Sequence, residues 1–171
     1  MKREKITKRD RLFVGALCLA GLASSSALAD SINFQQVQAL TFPTIALSGS
    51  GNVNLTVSPL NSSTSGTGQV IGGTASRGQY ALSLVQAGGG KSVSLSLDVS
   101  CANTGNAGLT LDSFRGLYNG SSIASFPSST LPLPAKHPAN TPLYLGATIT
   151  AAPSVAAGTY NASFSITIFI Q

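Results

Sequence analysis

From residue 53 onward, hydrophobic and polar residues alternate with a period of two, the mark of strands that bury one face. Val53-Asn-Leu55-Thr-Val57 alternates and stops at Ser58-Pro59, and the Ser-, Thr- and Gly-rich stretch from Asn61 to Gly68 reads as a solvent loop. Tyr80-Ala-Leu82-Ser-Leu84 is the next strand, ended by Gly88-Gly-Gly90, and Val93-Ser-Leu95-Ser-Leu97-Asp-Val99 repeats the period without a break. Leu109-Thr-Leu111-Asp-Ser-Phe114 follows, with Asn119-Gly120 behind it as a type I′ hairpin signal. Five prolines (Pro127, Pro132, Pro134, Pro138 and Pro142) punctuate an irregular connection over 126–142. Leu143-Tyr-Leu145 and Ala147-Thr-Ile149 then open the final pair of strands, and Gly158 starts the last turn.

The closing stretch is the most informative. Phe164, Ile166, Ile168 and Ile170 share one face of an extended strand, and Ser165, Thr167 and Phe169 share the other. A strand this apolar must be buried by its own fold or by a partner, because a bare edge invites pairing with another chain. About seven short strands, turn signals roughly every 8–14 residues and no helical spacing after residue 30 predict an antiparallel, immunoglobulin-like β-sandwich. A small closed barrel is the alternative, and a membrane barrel is disfavoured by strand count and by the lack of aromatic girdles.

The first 29 residues read differently. Met1 to Arg11 is basic, Leu12 to Ala23 is apolar, and Ala27-Leu-Ala29 is a small-x-small signal for cleavage before Asp30. The apolar run is too short for an ordinary spanning helix, and no later segment approaches about 20 apolar residues. Residues 1–29 are therefore expected to be a cleaved secretory peptide and residues 30–171 one domain, exported to the periplasm, the cell surface or the outside. Removing that leader changes the charge picture, since six of the ten Lys and Arg residues lie in positions 1–11. Arg77, Lys91, Arg115 and Lys136 then face Asp30, Asp98 and Asp112, a formal balance of +1. No basic patch remains to track phosphates, so nucleic acid is not an expected partner.

Candidate chemistry is sparse. His137 is the one histidine and stands in a proline-flanked loop, and together with Cys101 it cannot supply an ordinary zinc site. No cofactor or metal is expected. Asp98 and Asp112 fall on outward-facing positions of their strands, and no Glu remains after the leader, so a paired-carboxylate mechanism is not expected. No G-x-S-x-G elbow occurs. The triplets at Asn54, Asn61, Asn119 and Asn161 match a glycosylation acceptor pattern that this composition also produces by chance. Cys101 is left as a free thiol after leader removal, and a buried, inert residue is the favoured reading, with an intermolecular bridge or a reactive site as alternatives.

Taken in order, these segments resemble a bacterial family of exported domains of unknown function that look like pilus subunits. The resemblance runs through Leu40-Thr-Phe42, Gly51 to Pro59, Gly72-Gly73, Tyr80 to Leu84 and Leu109 to Phe114. It continues through Leu143 to Ile149 and Ala157-Gly158-Thr-Tyr160, and ends with Phe164 to Ile168. Pro43 and the single Gly146 depart from its usual pattern, which has a Gly after the Phe and a Gly pair. The resemblance implies an all-β, surface-associated or fimbrial role. A looser similarity is to subunits assembled by donor-strand exchange: Gly158 is fourteenth from the C-terminus, although Ile170 stands where those carry an aromatic, with Phe169 beside it. Ile32 and Phe34 fit a donor segment and Gln36 breaks it, and the plainer reading makes 30–42 the first and 159–170 the last strand of a complete sandwich. The function expected is thus a non-catalytic structural subunit that pairs with itself or with other surface subunits by strand addition. The possible assembly or core strand carries Gly158, Tyr160, Phe164, Ile166, Ile168 and Ile170. The alternative is a monomeric carbohydrate-binding module built on exposed tyrosines, for which Tyr80, Tyr118, Tyr144 and Tyr160 are candidates, with Tyr80 and Tyr160 better suited to core or corner positions.

Overall fold

The computed structural model describes residues 5–8 (backbone only), 31–47, 51–85, 92–134, 141–156, 160 and 162–171. The cleavage signal at Ala27, Ala29 and Asp30 lies outside the described residues, as do His137 and Gly158. Thirteen strands and no helix occur among the described residues: β1 (Lys5–Lys8), β2 (Ser31–Gln38), β3 (Thr44–Ala46), β4 (Val53–Val57), β5 (Thr64–Gly66), β6 (Gln69–Gly72), β7 (Gly78–Val85), β8 (Val93–Asn103), β9 (Leu109–Tyr118), β10 (Ser121–Ile123), β11 (Leu131–Leu133), β12 (Thr141–Ala151) and β13 (Ser163–Ile170). The segments read from the alternation are found in β4, β7, β8, β9, β12 and β13, and the remaining strands add to the seven or so expected.

Two antiparallel sheets carry the fold. One runs β1-β13-β8-β11 and the other β10-β9-β12, where β12 offers its far edge first to β7 and then to β4. The strand β2 adds to β7, β5 adds to β4, and β3 pairs with β6 in a small ribbon. Successive strands switch sheets at β7–β8, β8–β9, β10–β11, β11–β12 and β12–β13, so each loop ties the two layers together. Between the layers lie Leu82, Leu95, Leu97, Leu133, Leu143 and Leu145, together with Tyr80, Tyr118, Ile166 and Ile168. A second, smaller cluster of Leu109, Ala151 and Val155 closes one end.

Several local rules are visible in the register. Asn119 and Gly120 both have positive φ, 46° and 82°, as a two-residue type I′ turn between β9 and β10 requires. In β9 the buried positions step from Leu109 and Leu111 to Phe114, Gly116 and Tyr118. The extra residue is absorbed by Ser113, at φ 50°, opposite the register shift between Gly146 and Thr148. The stretch 61–68 is not wholly loop: Thr64–Gly66 returns as β5 along β4, with the Asn54 side chain accepting from the Thr67 amide at 3.1 Å. Likewise the proline-rich connection holds β11, whose Leu131 and Leu133 pair with β8 and are buried. The two segments expected around 143–149 are one strand, β12, which runs unbroken from Thr141 to Ala151, paired with β9 from Leu143 on, while its other edge passes from β7 to β4.

Tyr118 is a core residue with a polar end. Its hydroxyl donates to the Pro132 carbonyl at 2.9 Å, and burial pushes its pKa up to about 12 from 10, against a smaller lowering by the Thr141 side chain. A folded-state pKa above the unfolded one gives stability that is whole below pH 10 and is lost as pH rises to about 12. The expected loss is about 2–3 kcal/mol over that window, at 1.36 kcal/mol per pKa unit. Denaturant unfolding between pH 9 and 12 reads it, and Tyr118→Phe should lack this component; identical pH profiles for the two proteins would contradict it.

Candidate functional site

The C-terminal strand is where folding and association meet. Ile166 and Ile168 of β13 are buried, and Phe164 packs against Phe114 with ring centroids 5.5 Å apart. Ile170, expected on the same inward face, is half-buried and lies outside the main cluster, although it stands opposite the buried Leu95. On the other face Ser165 and Ser100 share a hydrogen bond at 3.1 Å, and Thr167 stands opposite Asp98. The chain end is tied down by the Gln171 amide donating to the Ser94 carbonyl at 2.8 Å.

One edge of β13 pairs with β8 over its whole length, from Ser163 opposite Asn103 to Ile170 opposite Leu95. Among the described residues the other edge is met by β1, with Lys5, Ile6, Thr7 and Lys8 opposite Phe169, Ile168, Thr167 and Ile166. No other described strand pairs with this edge. Natural edges are usually blunted by Lys, Pro, bulges or short length. From Phe164 to Ile170 β13 has none of these, its one bulge lying at Ser163/Phe164.

Tyr160 stands just ahead of β13. Its hydroxyl donates to the Ala156 carbonyl at 2.7 Å, and its ring packs on the Leu109, Ala151 and Val155 cluster. A tyrosine ahead of a sandwich strand whose hydroxyl reaches back to an upstream carbonyl is the arrangement of a corner tyrosine. The four tyrosines do not assemble into an exposed platform: Tyr80 and Tyr118 are buried, and Tyr144 lies under Arg77. Ile32 and Phe34 sit in β2 within their own domain, with Phe34 stacked on Tyr80 at 5.2 Å.

The thiol departs from expectation. Cys101 is exposed, because β8 continues beyond Val99 past the end of the core and its last four residues are all exposed. Its Sγ lies 3.7 Å from the Ser163 carbonyl, and it borders two open clefts of about 660 and 420 Å³. It is expected to react with a thiol reagent in the native protein about as fast as it does after denaturation; a reaction slower by a hundredfold or more in the native state would contradict the exposed position. Asp98 and Asp112 lie on different sheets, Asp98 opposite Thr167 and Asp112 opposite Thr148, and no group of three or more metal-ligating side chains forms among the described residues.

Two features escaped the sequence reading. The guanidinium of Arg77 lies 3.7 Å from the centre of the Tyr144 ring and donates to the carbonyls of Pro59, at 3.0 Å, and Leu60. It therefore pins the turn after β4 onto the sheet. An arginine between turn residues and a strand in a charge-poor chain was the available signal. The other is the pairing of β1, for which only the weak alternation of Lys5-Ile-Thr-Lys8 offered a hint.

Two antiparallel sheets facing each other across an apolar core define an all-β sandwich domain. Residues 32–169 match the model of the family described as Domain of unknown function (DUF4402), and the chain belongs to that family. No curated protein and no solved structure matches the chain.

Proposed function

We propose that this protein is a non-catalytic, exported structural subunit of a pilus-like or other cell-surface assembly, joined to its neighbours by strand addition at the outer edge of β13. The observation that carries the reading is the one-sided pairing of β13 within the family domain: among the described residues there, 163–169 pair with β8 only, and the strand on the other edge comes from residues 5–8. An added strand would gain main-chain hydrogen bonds along that edge and cover the half-buried Phe164, Phe169 and Ile170. The near-neutral charge of residues 30–171 offers little repulsion between copies. Two measurements test this reading. N-terminal sequencing of extracytoplasmic material is expected to begin at Asp30, and a start at Met1 contradicts export. Light scattering of that material is expected to show concentration-dependent multimers, whereas a monomer at every concentration contradicts assembly.

A further inference from the structure

We infer that β1 is a built-in plug: in the uncleaved chain it holds the acceptor edge of β13 closed, and loss of the leader opens that edge. The inference rests on the strand-addition reading above and adds its control.

The register shows how such a plug works. β1 lies antiparallel to β13 and covers Ile166 through Phe169, the stretch that includes both buried isoleucines. Four residues supply few ladder bonds, so the strand is weak by itself. It holds its place because the chain is continuous. A tethered partner acts at an effective concentration in the millimolar range, and this falls away when the tether is cut. The tether is residues 9–30, which join β1 on one sheet to β2 on the other and contain the expected cleavage signal Ala27-Leu-Ala29. Twenty-two residues reach up to about 70 Å when extended, far more than the roughly 10 Å between packed sheets. A single cut before Asp30 would therefore turn an intramolecular strand into a free peptide and leave Ser163–Ile170 open on one side. Such an arrangement keeps an unprotected edge from pairing before the chain has reached its destination.

The test uses the full chain of 171 residues with Cys18 and Cys101 both changed to Ser, and a fluorescent peptide of residues 3–10 as probe. In one variant Ile6→Pro and Thr7→Pro remove two donors from β1. Circular dichroism confirms that this variant remains folded. It is expected to bind the peptide at least tenfold more tightly than the unmodified chain. In a second variant Thr7→Cys and Thr167→Cys, which stand opposite each other, allow a disulfide that locks β1 in place. The oxidised form should lose peptide binding and regain it on reduction. Equal binding by the proline variant and the unmodified chain, or by the oxidised and reduced forms, would overturn the plug while leaving strand addition intact. Failure of every form to bind would overturn the plug and the acceptor edge together.

Discussion

Replacing Ile166 and Ile168 together by alanine is expected to destabilise the domain by about 4–10 kcal/mol, at roughly 2–5 kcal/mol for each buried isoleucine. Both side chains are buried, at 7% and 4% exposure, and both belong to the main core. A domain's whole stability is about 5–15 kcal/mol, and Cys101 is the one cysteine after residue 29, so no disulfide within residues 30–171 offsets the loss. The double variant should therefore be largely unfolded. Replacing Ser165 and Thr167 by alanine removes the Ser100 hydrogen bond from the outer face and should cost only about 1 kcal/mol. Denaturant unfolding of the protein and both double variants gives the comparison, and equal small losses from the two pairs would contradict the inward placement.

Gly146→Ala is the second large effect, and its cause is contact with backbone. A Cβ at this position would lie 2.1 Å from the Val57 carbonyl oxygen and 2.7 Å from Pro59 Cδ. Gly146 stands where β12 stops pairing with β7 at Leu145 and begins pairing with β4 at Ala147. Relief requires moving the end of β4 and the turn that Arg77 pins, so several elements shift together. Overpacking typically costs about 1–3 kcal/mol, and a clash with main chain should reach or exceed the top of that range. Gly72→Ala is the control, since a Cβ there meets nothing within 4 Å. A Gly146→Ala protein as stable as the Gly72→Ala protein would show that β12 does not change partners at this point.

The long strands were legible because each buries one face against a single core, so alternation alone marks Val53–Val57, Val93–Val99 and Phe164–Ile168. The Asn119-Gly120 turn was legible because few residue pairs accept positive φ twice. What alternation does not carry is the neighbour relation. Thr64–Gly66 and Gln69–Gly72 are wholly exposed strands held by backbone pairing, the first also beside the Asn54 side chain; neither buries a face, so neither shows an alternation, and Val70 and Ile71 of the second are adjacent and both exposed. Cys101 shows the opposite failure: its spacing from Leu95, Leu97 and Val99 is that of an inward residue, but the core ends before it. The β13 edge was half legible. Its apolar character showed in the sequence, and which of its two sides a partner would take depended on the strand order of the sheet.

Amide hydrogen exchange on protein beginning at Asp30 reports whether the outer edge of β13 takes an added strand. The exchange of β13 would be compared between dilute monomer and the assembled state. Amides of Phe164–Ile170 that face away from β8 are expected to exchange rapidly in the monomer and at least a hundredfold more slowly after assembly. The edge strands β5 and β10 should remain unchanged. Assembly that leaves β13 exchange unaltered, with new protection on another edge, would contradict strand addition at this site.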